Sequence, residues 1–310
     1  MGNLPFRYLG IPMNHKRLNN KDWKMVEDRF QKKLSSWKGK LLSYGGRLVL
    51  INLVLISLAM FMMSFFEVPK GILKKLDFYR SAFFWQGDNH KKKYWLLKWE
   101  ILCLPKDQGG LGIMSLEIQN VCLLSKWLYK LVNEDGVWQD LLRKKYLKNK
   151  TIGEVHWKPG DSHFWSGLMK AKDRFLDLFI FNIHNGSQTR FWEDKWLGNF
   201  TLKEQYPSLY NITREKHISV ANAFASTPLN ISFRRSLVGG KLLKWNELVA
   251  KIAFVQLDYQ QYSIKWSLTR QGSFTVQSMY KHLINQNAMP LNKLLWKLKL
   301  PLKIKIFIWF

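Results

Sequence analysis

The stretch LVLINLVLISLAMFMMSFF, residues 48–66, runs without a charged side chain and decides how this chain folds. Its length approaches the roughly 20 residues that cross a bilayer, so it predicts either a buried core helix or a membrane span. Asn52, Ser57 and Ser64 lower its apolarity, and basic residues flank both ends, which leaves no orientation bias. These features favour the core helix, and the membrane span stays open as the alternative.

Amphipathic helices are predicted on both sides of this stretch. Residues 22–37 carry apolar side chains at three- and four-residue steps. Cations crowd the other positions and form either a solvated face or a phosphate-contacting one: Lys24, Arg29, Lys32, Lys33 and Lys38. Further helices are expected from Pro69 to Gly87, at 116–132, 137–147 and 241–254, and from residue 278. The same periodicity places four tryptophans in the core: Trp23, Trp37, Trp127 and Trp138.

Short β elements are predicted beyond residue 150. Residues 179–184 and 187–192 flank an Asn185-Gly186 pair, which accepts the positive φ angles of a type I′ turn, so this segment predicts a hairpin. Residues 262–268 alternate as a strand does. The expected fold class is therefore mainly α with a small β element (α+β).

The charge of the chain points to a polyanionic partner. Lys and Arg number 49 against 22 Asp and Glu, a formal net charge of +27. The excess is spread along the chain, with +15 in residues 1–150 and +12 in residues 151–310. A field of this sign attracts nucleic acid first and an anionic membrane surface second.

The sequence contains no motif that is typical of a catalytic or metal-binding site. Cys103 and Cys122 are the only cysteines and cannot form a zinc site, and the seven His residues are scattered. There is no Asp-Asp pair, and the glycines at 109–112 fit neither the P-loop nor the dinucleotide fingerprint. No catalytic, cofactor-binding or metal-binding residue is predicted. The N-terminus lacks a signal peptide, so a nuclear or cytoplasmic location is expected.

A series of motifs resembles a known family by its order along the chain. The motifs are FRYLGIP at 6–12, WKGKLLSYGGRL at 37–48, FFWQG at 83–87, Trp99, GGLGI at 109–113 and NGSQTRFWEDKW at 185–196. They follow one another as in the region after the polymerase palm of plant LINE-type (non-LTR) retrotransposon reverse transcriptases. The likeness extends over essentially the whole chain.

The resemblance implies a domain organisation. Residues 1–20 would end the polymerase palm, 21–150 would form a helical thumb-like region, 151–260 a connector with a hairpin, and 261–310 the start of a zinc-binding domain. The apolar, basic stretch at 300–310 stops in mid-pattern, so an interior section of a longer polyprotein is expected. The carboxylates that hold Mg²⁺ and the Cys and His residues that hold zinc in the family would lie outside it. We therefore expect this section to be non-catalytic and to bind neither metal.

The leading functional hypothesis is a retrotransposon polyprotein segment that grips RNA or DNA backbone through a basic surface. Its other expected partners are the polymerase and zinc-binding portions of the parent polyprotein. The candidate contacts are Lys38, Lys40, Arg47, Lys91, Lys92, Lys93, Arg190 and Lys195. Glu193 and Asp194 are expected to balance the charges of Arg190 and Lys195.

Two alternatives belong to other functional classes. The chain could be a membrane-associated basic protein anchored by residues 48–66, which is less favoured. It could also be the product of a decayed transposon copy with no biochemical function.

Overall fold

The chain is mainly α-helical with a small β component, as predicted. A computed structural model describes residues 6–8, 11–13, 18–37, 39–86, 97–148, 150, 152–182, 186, 189–198, 200–253, 255, 257, 263–285 and 298–309. The chain divides into two compact units. Unit 1 comprises residues 1–127, 157–171 and 275–310, and unit 2 comprises residues 128–156 and 172–274.

Helices occupy every segment in which the periodicity predicts one, and further helices form where none was predicted. They are α1 (Asn20–Ser36), α2 (Tyr44–Leu50), α3 (Ile56–Met63), α4 (Lys70–Gln86), α5 (Trp99–Cys103), α6 (Leu116–Asn133), α7 (Val137–Leu142), α8 (His163–Leu176), α9 (Leu202–Gln205), α10 (Pro207–Tyr210), α11 (Val220–Ala223), α12 (Gly240–Ile252), α13 (Val276–Asn285) and α14 (Leu302–Trp309). Five-residue π-helical segments join α2 to α3 (Ile51–Leu55) and extend α7 (Arg143–Leu147). Short 3₁₀ turns lie at Gly39–Leu41 and Lys106–Gln108.

The charge-free stretch forms part of a continuous helix in the core of unit 1. Ile51, Leu55 and Ala59 are fully buried and share one apolar cluster with Trp23 and Phe30 of α1. Within the described residues, Tyr44–Met63 is also the one helix long and apolar enough to cross a membrane. Because its buried face contributes to the core, the structure favours the core helix. Its opposite side leaves Val49, Leu53 and Phe61 exposed.

A buried asparagine fixes the end of this helix. The side-chain amide of Asn120 donates to the carbonyl oxygens of Met63 (2.8 Å) and Phe66 (2.9 Å), and its oxygen accepts from the Val68 amide (2.9 Å). The last carbonyls of a helix have no partner within the helix, so a buried helix end needs such a donor. Asn120 on α6 therefore holds the turn that leads from α3 towards α4.

The glycine-rich turn at 109–112 has a structural role. Gly109 has a φ of 87°, and a Cβ on Gly110 would lie 2.0 Å from the Leu104 carbonyl oxygen. The amides of Gly109 and Gly110 donate to the carbonyls of Lys106 and Pro105, and that of Gly112 donates to Leu104. These donors are used within the turn, which agrees with the prediction that it is not a phosphate cradle.

The β component consists of two antiparallel pairs. Strands β1 (Phe6–Tyr8) and β2 (Ile11–Met13) pair with each other in unit 1. In unit 2, β3 (Phe179–Asn182) pairs with β4 (Ser263–Trp266), with Phe179 opposite Trp266. The strand predicted at 262–268 is confirmed.

The predicted partner of β3 was wrong. The hairpin hypothesis paired residues 179–184 with 187–192 across Gly186. Gly186 does have a positive φ (64°), but its carbonyl accepts from the Ala221 amide at 3.0 Å, and Arg190 forms a β-bridge with Ser219. Gly186 and Arg190 therefore both contact the start of α11, and β3 pairs with a strand distant in sequence. Residues 183–185, 187 and 188 of the predicted hairpin lie outside the described residues.

Aromatic packing explains why β3 and β4 meet. The rings of Phe175 and Phe179 lie 4.3 Å apart between centroids, and Phe179 lies 4.7 Å from Trp266. Trp266 in turn contacts Phe274 at 4.9 Å. Phe175, Phe179 and Trp266 are almost completely buried, so this cluster forms a core of unit 2.

One tryptophan prediction was wrong. Trp23 is fully buried, and Trp37 is half-buried against the unit 1 core. Trp127 is half-buried, and its ring lies 5.6 Å from that of Phe65. Trp138 on α7 is 37% exposed, and its neighbours Val137 and Leu141 are 89% and 59% exposed. Leu142 is the buried residue of this helix, and the first turn stays at the surface.

Candidate nucleic-acid interface

Helix α1 presents an extended basic surface, as its periodicity predicts. Asn19 caps its N-terminus: the Asn19 side chain accepts from the Lys21 amide, and the Asp22 carboxylate accepts from the Asn19 amide at 2.8 Å. Trp23, Val26 and Phe30 bury the opposite face in the unit 1 core. The capped end and the buried stripe fix which side chains point outward.

The outward positions of α1 form a surface that we call the α1 basic face. It comprises Lys21, Lys24, Arg29 and Lys32, with Lys33 beside it, and all five are exposed. The first four line a shallow depression of about 370 Å³ together with Met25 and Asp28. The ion pairs recorded between described residues of unit 1 involve other cations, such as Lys75 with Glu27 and Lys170 with Glu67.

The charge of the α1 basic face is incompletely neutralised. Asp28 is the one carboxylate in the depression, and Asp22 is engaged in the helix cap. Flexible, exposed ammonium and guanidinium groups without carboxylate partners are the groups that contact phosphate oxygens in nucleic-acid complexes. The face is therefore chemically suited to a polyanionic backbone.

Arg47 is a predicted contact that the structure places elsewhere. Its guanidinium is buried and donates to the carbonyl oxygens of Gly39 (3.1 Å) and Phe84 (3.0 Å). Burial lowers the pKa of Arg47, while the nearby Tyr44 raises it. The motif residue Arg47 thus joins the 3₁₀ turn to the end of α4, and it cannot reach a phosphate without leaving the core.

Arg190 lies in an ion-pair cluster in unit 2. Its guanidinium donates to the carboxylates of Glu154 and Glu193 and lies 2.8 Å from the His217 Nδ1 atom. Glu193 also accepts from the Tyr210 hydroxyl at 2.7 Å. Because two carboxylates already neutralise Arg190, this arrangement does not favour its predicted role as a phosphate contact.

Hydrogen bonding and burial compete in setting the titration of this cluster. Burial raises the pKa of Glu193, but hydrogen bonds from Tyr210, Arg190 and His217 outweigh it and hold the pKa below its usual value. Burial and the bond to Glu193 raise the pKa of Tyr210 to about 12. Glu193 therefore stays ionised and balances Arg190, as predicted.

Lys195 and Asp194 have different partners from those expected. The Lys195 ammonium pairs with Asp177 at 3.1 Å, and Asp194 accepts from the backbone amide of Arg190 at 2.7 Å. These residues line an open cleft of about 730 Å³ in unit 2. Both carboxylates and cations line it. The carboxylates are Glu154, Asp173, Asp177, Glu193, Asp194 and Glu204, and the cations are Arg190, Lys195 and Lys203. A cleft of mixed charge is a poor site for a phosphodiester backbone.

The structure does not describe the side chains of the other predicted contact residues. Lys38, Lys91, Lys92 and Lys93 lie outside the described residues. Lys40 belongs to the turn Gly39–Leu41, of which the backbone is described. The positions on α1 were visible in the sequence as a possible phosphate-contacting face, with the exception of Lys21, which precedes the first predicted helical residue.

Metal and thiol chemistry find little support in the described part of the chain. No group of three or more His, Cys, Asp or Glu side chains is placed there to hold a metal ion. Cys103 and Cys122 are free cysteines, and burial raises the pKa of each thiol to about 12. Both thiols are thus protonated at neutral pH and are weak nucleophiles.

Comparison with known proteins gives two plant relatives. The chain is 28% identical over 317 aligned positions to an Arabidopsis thaliana protein named "Putative ribonuclease H protein At1g65750". The alignment covers 96% of this chain and 49% of that protein, so the chain spans about half the length of this relative. It is also 27% identical over 143 positions to the Arabidopsis "Uncharacterized mitochondrial protein AtMg00310", covering 46% of this chain and 93% of that protein. No protein-family model matches the chain.

Proposed function

We propose that this chain is a segment of a retrotransposon-encoded reverse transcriptase polyprotein and that it binds RNA or DNA backbone through the α1 basic face. The observation that carries the binding is the geometry of α1, where four exposed cations line one depression that contains a single carboxylate, Asp28. The net charge of +27 adds a long-range attraction to the local contacts.

The proposed origin rests on sequence. The order of the motifs from FRYLGIP to NGSQTRFWEDKW resembles the LINE-type family, and the alignment with the longer Arabidopsis relative extends over nearly the whole chain. The role proposed for the chain is binding and positioning of nucleic acid. Polymerisation and zinc binding are proposed for other portions of the parent polyprotein.

The packing of unit 1 supports this assignment over a membrane anchor. The helix Tyr44–Met63 buries one face in the core, and Asn52 uses its side chain to donate to the Gly112 carbonyl oxygen at 3.1 Å. The exposed apolar residues Val49, Leu53 and Phe61 favour membrane contact as a second candidate. Carbonate washing of membranes from cells that express the chain separates the candidates, because a spanning helix resists extraction.

The binding is tested by removing three charges from α1. The variant combines Lys24→Gln, Arg29→Gln and Lys32→Gln, which keep long, helix-compatible side chains. A matched control combines Arg235→Gln, Lys241→Gln and Lys244→Gln on unit 2 and removes the same charge. With a short RNA duplex at low salt, we expect the α1 variant to bind about tenfold more weakly or worse and the control to change little. Equal losses in both variants would show that only the net charge matters.

A further inference from the structure

Residues 137–148 and 150 of unit 2, which we call segment 137–150, combine exposed apolar side chains with exposed cations. Val137, Trp138 and Leu141 are exposed on the first turns of α7. The π-helical extension and the residues after it add four exposed lysines: Lys144, Lys145, Lys148 and Lys150. Lys145 lies seven positions after Trp138, which corresponds to roughly 10 Å along the helix axis.

Two aspartates near this segment share one arginine. Arg143 pairs with Asp135 at 2.8 Å and with Asp140 at 3.3 Å. Its guanidinium also donates to the carbonyl oxygens of Leu131 (3.0 Å) and Glu134 (2.7 Å). Arg143 thus anchors the segment to the end of α6. Arg143 and the two aspartates together carry a formal charge of −1, so the four lysines leave the segment with a net positive charge.

The backbone at Lys148 supplies an independent observation. Lys148 has a φ of 53° and a ψ of −110°, and it is the one non-glycine residue in the described part of the chain with a positive φ. Its amide donates to the Arg143 carbonyl oxygen at 2.7 Å, which ends the helical segment. Glycine adopts such angles at little cost, whereas a lysine is strained there. A strained residue with an exposed charged side chain is the kind of outlier that accompanies ligand contacts.

We propose that segment 137–150 is a binding surface for unpaired RNA or DNA, in which Trp138 stacks on a base and Lys145 and Lys148 contact the adjacent phosphates. This inference rests on the proposed function and specifies which form of nucleic acid unit 2 would take. Aromatic rings beside cations bind single strands, because an unpaired base offers a free face for stacking. Bases inside a duplex have both faces covered by their neighbours.

The arrangement fits a nucleic acid better than a membrane surface. A helix that lies in a bilayer interface carries an apolar face along its length and cations on the opposite face. Here the exposed apolar residues occupy the start of the segment and the lysines occupy its end, while Leu142 is buried in unit 2. A base followed by phosphates along one strand matches this lengthwise separation.

The experiment compares three ligands of equal length: a single-stranded RNA, its duplex and an abasic phosphodiester strand. The intact chain should bind the single strand about tenfold more tightly than the abasic strand, because one base–aromatic stack is worth about that ratio. Trp138→Ala should remove this preference, and Trp138→Phe should keep it. Binding of the duplex, which reports the α1 basic face, should be the same in all three proteins.

Lys148→Gly distinguishes a binding role from a structural one. Relief of the strained backbone should raise the thermal midpoint, while loss of the cation should weaken binding of both single-stranded ligands several-fold. A purely structural role for Lys148 would not produce these opposite changes.

The possible outcomes separate this inference from the proposed function. Duplex binding without any effect of Trp138→Ala or Lys148→Gly would overturn the inference and leave the α1 basic face intact. Absence of binding to all three ligands would overturn both. Binding to phosphatidylserine vesicles that requires Trp138, with RNA binding unchanged in Trp138→Ala, would replace the nucleic acid by a membrane surface.

Discussion

The guanidinium of Arg47 donates a hydrogen bond to the carbonyl oxygen of Phe84 at 3.0 Å, in the last turn of α4. The last carbonyls of a helix lack partners within the helix, and Arg47 satisfies one of them from inside the core. The Nε–H group of Arg47 also donates a hydrogen bond to the Gly39 carbonyl oxygen. An arginine in the basic motif at residues 37–48 is thereby part of the structural framework of unit 1.

Arg47→Met should destabilise the protein without weakening its intrinsic affinity for RNA. The methionine fills similar space but leaves two buried carbonyl oxygens without a donor, at a cost of about 2–3 kcal/mol in the free energy of unfolding. Urea unfolding gives this quantity, and titration with duplex RNA gives the affinity of the folded fraction. Lys24→Met is the matched control, with the opposite pattern expected. A stable Arg47→Met variant with lost affinity would contradict the buried placement.

Asn120→Leu should also lower the free energy of unfolding, by about 3 kcal/mol. Leucine has the same branched arrangement of heavy atoms as asparagine, with bulkier methyl groups, but it cannot donate to the Met63 and Phe66 carbonyls or accept from the Val68 amide. Asn133→Leu on the same helix changes an exposed residue and should shift the unfolding free energy by less than about 0.5 kcal/mol. Equal effects at the two sites would show that Asn120 does not hold the end of α3.

Asp194→Asn should stabilise the protein at neutral pH. Burial raises the pKa of Asp194 from 3.8 to about 6, although a hydrogen bond from the Arg190 amide lowers it. Because the pKa is higher in the folded state than in the unfolded state, the ionised carboxylate reduces stability above pH 6, and this loss disappears below the unfolded pKa. An asparagine oxygen can still accept from the Arg190 amide.

The size and pH dependence of this effect can be measured by urea unfolding. The variant should exceed the parent by up to about 3 kcal/mol at pH 7.5, and the difference should shrink as the pH is lowered to 4.5. A variant that is less stable than the parent at pH 7.5 would mean that the Asp194 charge is favourable in the folded state.

The sequence predicted local structure well and long-range contacts poorly. The spacing of Trp23, Val26 and Phe30 was enough to orient α1, because a helical period depends on neighbouring residues. The pairing of Phe179 with Trp266 depends on packing between distant segments, and the nearby Asn-Gly pair offered a plausible local alternative. No local signal distinguishes these two possibilities.

The candidate site shows the same division. Residue type alone suggested that Arg47 and Arg190 were solvent-facing cations, but their roles depend on partners far along the chain, such as Phe84 and Glu154. Trp138 was expected in the core because its spacing is helical, whereas Leu142 is the buried residue of the short α7. By contrast, the basic face of α1 followed from periodicity, since the core side of that helix determined which cations stay exposed.

The salt dependence of RNA binding tests the central claim most directly. Each phosphate neutralised by a cation releases counterions, so the slope of log K against log salt concentration counts the contacts. For duplex RNA, the α1 variant (Lys24→Gln, Arg29→Gln, Lys32→Gln) should show a slope shallower than that of the parent by about 2–3, and the Arg235, Lys241 and Lys244 control should keep the parental slope. Identical slopes for the parent and the α1 variant would contradict the proposal that α1 contacts the nucleic-acid backbone.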